Sequence, residues 1–173
     1  MEFPLLTGNP RCCGAGVIEV RAARPGDGPA LVRTTRALAE HHGSLDGFAV
    51  TAVDFERDLF CDSPIIGALI AEDNGDVAGS VVWHRSYSTN RGHEIMYLED
   101  IVVLPEHRRK GVARALMQAT ARLAIARGYS KIFWMVVDWN EGGKKLYQSL
   151  GADIDPEHRL CTIDGDALKA LAA

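Results

Sequence analysis

The spacing of hydrophobic positions changes along the chain, and each change predicts an element. Residues 97–103 read as a β-strand because apolar positions there end in the β-branched run Ile101 to Val103. Pro105 ends that strand, since proline has no N–H to donate to a ladder. From Val112 the apolar positions recur every three or four residues, which predicts a long helix with one apolar stripe.

The rest of the chain divides into short strands and helices. Strands are predicted at 17–22, 65–71, 77–83, 131–137 and 159–163; further helices at 28–42, 52–59, 141–150 and 166–171; and loops at 43–50 and 85–92. Asp27 and Thr51 are the predicted N-caps, and Gly151 closes the helix before it. Asn74-Gly75 between two strands indicates a hairpin. The order predicts an α+β class with adjacent antiparallel strands.

The turn before the long helix carries the pattern R-x-x-G-x-A at residues 108–113. Such a turn presents unpaired backbone N–H groups at the positive end of the helix dipole, which suits a diphosphate. Gly111 and Ala113 keep side chains away from that ligand, while the basic residues 108–110 add positive charge. An exposed basic turn without a ligand gives the same pattern, so the motif alone leaves both interpretations open.

This strand, motif and helix together resemble the acetyl-CoA site of the GNAT N-acetyltransferases. Three stretches resemble the diamine acetyltransferase family, including its thialysine-acetylating branch: YSTNRGHEIMYLEDIVVLPEHRRKGVA at 87–113, DWNEGGKKLYQSLGA at 138–152 and RAARPGDGPALVRTTRALAE at 21–40. The resemblance implies the GNAT acyl-CoA N-acyltransferase fold, a mixed, mostly antiparallel twisted sheet flanked by helices. It implies one N-acetyltransferase domain at 17–173, preceded by a predicted flexible extension at 1–16.

Acetyl transfer to an amine requires a base, because an amine with a pKa near about 10.4 is mostly protonated at neutral pH. Glu99 is the candidate base, in an otherwise apolar strand with Tyr97 and Ile101 on its own face. Partial burial would raise its pKa. The resemblance implies that Glu99 serves as base or proton relay, through water. The alternative is a carboxylate paired with Arg85 or Arg91.

Asp100 points to the opposite face if the strand is regular. A β-bulge, which is a feature of the superfamily at this place, would let both carboxylates approach one cleft. Asp100 would then help to attract a cationic substrate. Otherwise it is a charge at a sheet edge or an interface.

Tyr147 is the candidate general acid. It lies seven residues after Asn140, close to two helical turns, so that both share a face, while Leu146 and Leu150 take the core side. The resemblance implies that Tyr147 protonates the CoA thiolate and that Asn140 contacts the pantetheine arm. The alternatives are a packed tyrosine with its hydroxyl in water and a simple N-cap.

Backbone groups of Ile101 and Val103 can pair with the pantetheine amides as an added strand would. With the motif and helix residues, the implied acetyl-CoA contacts are Ile101, Val102, Val103, Arg108, Arg109, Lys110, Gly111, Val112, Ala113, Arg114, Asn140 and Tyr147. The side chains of the strand residues are equally well explained as core, so only the backbone contact is a functional prediction there.

Substrate contacts are predicted at His41, His42, Arg91, Glu99 and Asp100. Polyamine-acetylating relatives carry a Tyr-Glu pair where this chain has His41 and His42, and acidic and aromatic residues at Thr89 and Arg91. A tryptophan is missing near His158. These changes remove negative charge or an aromatic wall, so a smaller amine or a lysine-like amino acid, whose carboxylate Arg91 could bind, is favoured over spermidine. No metal is expected, because the two histidines lack a third ligand.

The composition and net charge of the chain argue against some classes of binding partner. The chain has 173 residues, a net charge of −4 and a pI near 5.8, which argues against a nucleic-acid or membrane surface as partner. Four cysteines without metal spacing predict reduced thiols, and with no evident signal peptide the prediction is a cytoplasmic protein. The resemblance implies a homodimer. Two other functions stay open: acetylation of a protein or peptide amine, and a catalytically silent acyl-CoA sensor.

Overall fold

The structure is a computed structural model that describes residues 17–172. The chain separates into two compact units, Met1–Met135 and Val136–Ala173, each of which is presented by itself. The predicted flexible extension at 1–16 lies outside the described residues.

The first unit contains one five-stranded sheet whose strands lie side by side in chain order; neighbouring strands are antiparallel except for the last pair, which is parallel. Its elements are β1 (Ile18–Ala22), α1 (Gly28–His42), α2 (Ala52–Phe60), β2 (Ile66–Asp73), β3 (Asp76–Ser88), β4 (His93–Val103), α3 (Val112–Ala126) and β5 (Ile132–Phe133), with 3₁₀ turns at Leu45–Gly47 and Pro105–His107. The second unit contains α4 (Glu141–Ser149) and α5 (Gly165–Leu171). The predicted α+β class and mostly antiparallel sheet are confirmed.

The core of the first unit lies between the sheet and the pair α1 and α2. It is formed by buried apolar residues from both helices and from β2 and β3, namely Leu31, Phe55, Leu59, Ala68, Ile70 and Val82. Burial of each large apolar side chain contributes about 1.5–3 kcal/mol. The buried hydroxyls of Thr34 and Ser80 lie 2.7 Å apart and fix α1 on β3.

The opposite face of the sheet carries Trp83, because neighbouring residues of β3 alternate between faces. The guanidinium of Arg127, at the end of α3, lies 4.6 Å from the centre of the indole ring. Gly67 on β2 makes room for this ring, since a Cβ there would come within 2.3 Å of it. The sheet is therefore packed on both faces, which holds β4 in a fixed position.

Several local predictions are confirmed. Thr51 and Asp54 form a capping box at the start of α2, with hydrogen bonds in both directions. The hairpin turn at Asn74-Gly75 joins β2 and β3, and Gly151, with a φ of 86°, follows Leu150, the C-cap of α4. Each of these depends on residues close together in the chain.

The cap predicted for α1 differs in detail. Asp27 occupies the N-cap position, but its side chain makes no capping hydrogen bond. The reason is that its carboxylate is held by Arg21 at 2.6 Å. Glu56 of α2 accepts the N–H of Gly28 instead, at 2.8 Å, so one helix caps the other.

Three strand predictions need correction. The loop expected at 85–92 shrinks to 89–92, because β3 and β4 pair as far as Ser88 and His93. Cross-strand hydrogen bonds extend that hairpin although its residues are polar. The strand expected at 131–137 is reduced to Ile132–Phe133. The strand expected at 159–163 is wrong: these residues are exposed and have no sheet partner within residues 17–172.

Candidate active site

A β-bulge interrupts β4 where the sequence predicted a site. Val82 of β3 pairs with Asp100 and Trp83 with Leu98, so that Glu99 is an extra residue without a partner on β3. Because Val82 belongs to the core beneath α1 and α2, the register puts Asp100 on that face. The sequence left a regular strand and a β-bulge as alternatives, and the structure contains the bulge.

The bulge gives the two carboxylates different environments. Glu99 is 58% exposed, and the ring of His84 lies beside it, with 3.8 Å between Oε2 and Nε2. The partial burial that would have raised the pKa of Glu99 is therefore not found, because its side chain is mostly exposed. Arg85, an expected partner of Glu99, pairs with Glu94 at 3.2 Å. Asp100 is the half-buried carboxylate: burial, and secondarily the charge of Glu99, raise its pKa to about 6.

Tyr97 lies beside these carboxylates. Burial raises the pKa of its hydroxyl, and the charges of Glu99 and Asp100 raise that pKa further. Its ring packs at 4.8 Å from the rings of both His84 and Phe133. We call these five residues (His84, Tyr97, Glu99, Asp100 and Phe133) the acceptor cluster. Two carboxylates beside aromatic faces are suited to bind an ammonium group.

Sequence reasoning missed His84 and Phe133. His84 reaches the cluster because it pairs with Tyr97 across β3 and β4, and Phe133 because it pairs with Tyr97 in the parallel ladder. Both contacts depend on strand register. The only usable signal was the alternation of β3, extended beyond the residue at which the strand was expected to end.

One edge of β4 continues past its neighbour. β5 pairs with β4 only at Met96 and Tyr97, whereas β4 runs on to Val103. The N–H of Leu104 donates to β3. Because the N–H groups of successive strand residues point to opposite sides, those of Ile101 and Val103 point away from β3, toward that edge. An extended ligand can pair there as a further strand.

The turn after β4 has an unusual backbone. Arg109 and Gly111 both have left-handed conformations, with φ of 63° and 89°. The first N–H to bond back at the start of α3 is that of Ala115, which donates to Gly111. Successive N–H groups in such alternating conformations form an anion-binding concavity, and the helix dipole adds to its positive potential. We call the backbone of residues 109–113 the nest.

The basic side chains of this turn are largely occupied by the protein. The ammonium of Lys110 and the ring of His107 each lie 2.9 Å from Oδ2 of Asp73. Arg108 donates from Nε to the carbonyl of Val103 at 3.3 Å. Lys110 was expected to bring its charge to an anion, but the structure commits that charge to Asp73. The main chain is therefore the better candidate for binding an anion.

In the second unit, α4 carries both residues predicted there. Asn140 is the N-cap, and its side chain accepts the N–H of Gly143 at 2.8 Å. Tyr147 is the buried residue of α4, whereas Leu146 and Leu150, expected on the core side, are only half-buried. Burial raises the pKa of the Tyr147 hydroxyl, which keeps it protonated as a proton donor must be. That Tyr147 acts together with Glu99 stays a prediction.

The remaining predicted substrate contacts lie at the end of α1 and in the turn before β4. His41 and His42 form the exposed last turn of α1, with ring centres 5.8 Å apart, and burial together with the charge of His41 lowers the pKa of His42. Arg91 lies in the turn before His93, and six strand residues at about 3.3 Å each put roughly 20 Å between His93 and Glu99. Within one chain, Arg91 is therefore too far from Glu99 to contact it.

Residues 17–172 contain no cluster of three or more side chains able to hold a metal ion. They also contain no helix that is long and apolar enough to cross a membrane.

Comparison with known proteins gives matches over most of the chain. Residues 35–152 match the model of the acetyltransferase (GNAT) family. The chain is 32% identical over 166 residues to thialysine N-epsilon-acetyltransferase of Bos taurus, covering 90% of this chain and 97% of the relative. It is 37% identical over 133 residues to L-ornithine N5-acetyltransferase of Arabidopsis thaliana, covering 76% and 58%. An integron cassette protein from the mobile metagenome of V. cholerae has the same fold, with a TM-score of 0.73, 22% identity and 90% and 97% coverage.

Proposed function

The chain belongs to the acetyltransferase (GNAT) family, and on that premise we propose that it moves the acetyl group of acetyl-CoA directly to a primary amine of a small molecule. The family uses acetyl-CoA as its acetyl donor. Among amines, we propose a lysine-like amino acid, with di- and polyamines as the weaker substrates.

One observation carries this proposal: the bulge of β4 sets two carboxylates next to the point where β4 loses its neighbour β5. An extended thioester paired along the edge at Ile101 and Val103 would end beside Glu99 and Asp100. The nest follows directly on the same stretch of chain. Binding groups for the two ends of acetyl-CoA are thus continuous in sequence, which fits a pantetheine arm leading from a diphosphate to a reaction centre.

Asp100, Glu99 and Tyr147 have separate roles in the proposed reaction. Asp100 attracts the ammonium form of the substrate, since a carboxylate with a pKa of about 6 is mostly ionised at neutral pH. Glu99 takes the proton from that ammonium, directly or through water. The amine lone pair attacks the thioester carbon, the carbon–sulfur bond breaks, and Tyr147 gives its proton to the leaving thiolate. The surplus proton on the acylated nitrogen returns through water to the Tyr147 phenolate, and Glu99 releases its own proton to solvent. Free CoA and the N-acetyl amine are the products.

The size and charge of the acceptor cluster support a short substrate. Two carboxylates and aromatic rings suit one ammonium group, whereas the exposed end of α1 carries the two histidines His41 and His42, and the carboxylate of Glu40 before them already pairs with Arg36 at 3.4 Å. The relatives named for thialysine and ornithine act on amino acids that carry a side-chain amine. These observations favour an amino acid over spermidine.

A substrate screen tests the proposal. Acetyl-CoA is mixed with thialysine, lysine, ornithine, putrescine, spermidine and a lysine-containing peptide, and release of the CoA thiol is followed. We expect the highest kcat/KM with a free amino acid. A preference for the peptide would indicate that the substrate is a protein or peptide amine and not a free amino acid. CoA binding without thiol release from any amine would identify a non-catalytic sensor and contradict the proposal.

We also propose a homodimer, as the family resemblance implies. Large apolar side chains of the second unit are exposed, among them Leu160, Ile163, Leu168 and Leu171. Such residues are typical of surfaces that another chain covers. Light scattering coupled to size-exclusion chromatography tests the mass, and a monomer at micromolar concentration would contradict this part.

A further inference from the structure

A buried carboxylate outside the acceptor cluster is tied to the turn after β4. Asp73 is the last residue of β2, and its side chain is only 6% exposed. Its Oδ2 accepts from Nδ1 of His107 and from the ammonium of Lys110, both at 2.9 Å. Its Oδ1 accepts from the side chain of Asn74 at 3.0 Å. Lys110 first and His107 second lower the pKa of Asp73, so this carboxylate is ionised at neutral pH.

The two side chains that contact Asp73 flank a strained residue. Arg109 has a φ of 63°, in the left-handed region that residues with a Cβ rarely adopt. Such conformations persist where the surrounding structure over-determines them. Here His107 and Lys110 are anchored on one oxygen atom, so the chain between them has both ends fixed. The left-handed Arg109 lies within this anchored segment.

Arg109 is also the first residue of the nest, and Lys110 directly precedes Gly111. The contacts of Asp73 are therefore made by residues within and just before the nest, so a change at Asp73 would act on its N–H groups. Asp73 itself belongs to the hairpin between β2 and β3, on the far side of β3 from the free edge of β4. It is thus separated in the sheet from the acceptor cluster.

We infer that Asp73 is a positioning residue for the cofactor: through His107 and Lys110 it holds the nest in the conformation that binds the diphosphate of acetyl-CoA. This inference rests on the proposed function. It assigns to Asp73 an effect on the diphosphate end of the cofactor and none on the thioester end.

The test compares two acetyl donors that share the thioester and the pantetheine arm. Acetyl-CoA carries the diphosphate, and S-acetylpantetheine does not. In Asp73→Asn, which keeps the shape and removes the charge, we expect kcat/KM for acetyl-CoA to fall about tenfold, because a buried charge-assisted pair is lost. For S-acetylpantetheine we expect kcat/KM within about twofold of wild type, since this donor makes no contact with the nest.

Two further variants complete the design. Asp76→Asn is the matched control, because it removes the same charge from an exposed residue of the same hairpin, and it should leave both donors within about twofold of wild type. Lys110→Gln keeps the backbone N–H and loses one ion pair, so it should lower kcat/KM for acetyl-CoA alone, by about threefold. If Asp73→Asn does not fold, Lys110→Gln takes its place in the comparison of the two donors.

The outcomes separate the two proposals. If wild type does not prefer acetyl-CoA over S-acetylpantetheine, the nest binds no diphosphate and the proposed cofactor site is wrong. If wild type has that preference and Asp73→Asn keeps it, the role of Asp73 is wrong while the cofactor site stands. An equal loss with both donors would show a general structural role and would likewise overturn the inference.

Discussion

The bulge of β4 and the turn that follows β4 use polar groups in opposite ways. At the bulge, the main chain inserts one residue, and the result is a cluster of titratable side chains. In the turn, charged side chains pair within the protein and the main chain is left to face a ligand. The two regions lie within fifteen residues of each other in the sequence.

The difference has a consequence for substitutions. A chemical group at the bulge can be changed without moving the backbone, so the effect should fall on turnover and on its pH dependence. In the turn, the decisive property is the left-handed backbone at Arg109 and Gly111, so the effect should fall on cofactor affinity.

The largest effect is expected from Gly111→Glu. The φ of 89° strains any residue with a Cβ, and although the space beside Gly111 is open, a carboxylate there would repel the diphosphate. We expect CoA affinity to fall by more than about 100-fold, corresponding to about 3 kcal/mol. Calorimetric titration with CoA measures it. Gly128→Glu, with a φ of 77° at the other end of α3, is the control for strain alone and should bind CoA normally.

Tyr147→Phe should have the next largest effect. Removal of a general acid lowers kcat by about 100-fold, while affinity for CoA should change little because the ring remains. Steady-state kinetics with saturating acetyl-CoA measures kcat, and Tyr87→Phe, an exposed tyrosine of β3, is the matched control. Equal turnover of the variant and wild type across pH would remove Tyr147 from the mechanism.

Glu99→Gln should lower the rate about tenfold at neutral pH and displace the pH–rate profile to higher pH. Without the carboxylate, the amine must lose its proton to solvent, which becomes easier as pH rises toward its own pKa. The control is Glu94→Gln, an exposed glutamate of the same strand that pairs with Arg85. An unchanged profile in Glu99→Gln would reassign the base, with Asp100 as the next candidate.

The smallest effect concerns stability at the bulge. The pKa of Asp100 is raised from 3.8 to about 6 in the fold. The folded state therefore disfavours the ionised form, and wild type loses stability as pH rises from about 4 to above 6. We expect Asp100→Asn to be more stable than wild type at pH 8, by at most about 3 kcal/mol, and equally stable near pH 3.5.

Urea denaturation at the two pH values measures this difference, with Asp76→Asn as the exposed control. A difference of the same size at both pH values would mean that packing of the residue at position 100, and not its ionisation, decides the result. A variant that is less stable than wild type at pH 8 would contradict the burial of the charge.

Features fixed by neighbouring residues were predictable from the sequence. The stripe beginning at Val112 predicted α3, and Thr51 with Asp54 predicted the cap of α2, because helix periodicity and caps depend on residues three or four apart. The R-x-x-G-x-A pattern predicted a turn with a glycine just before a helix. The left-handed Arg109 inside that turn has no signature in the sequence.

Features that depend on strand pairing were not predictable. The bulge at Glu99 was foreseen only as an option, because the sequence does not show which residue of β3 faces it. For the same reason, the sequence did not predict that His84 lies in the acceptor cluster: the strand register that places it opposite Tyr97 was unknown. The ion pair between Asp73 and Lys110 joins residues 37 positions apart, and only the folded sheet brings them together.

Backbone amide NMR of the protein during titration with CoA observes the nest itself. The account predicts the largest chemical-shift changes at the amides of Arg109, Lys110, Gly111, Val112 and Ala113, with smaller changes when pantetheine replaces CoA. Unchanged amides in these residues at saturating CoA, with the large changes elsewhere in the chain, would contradict it.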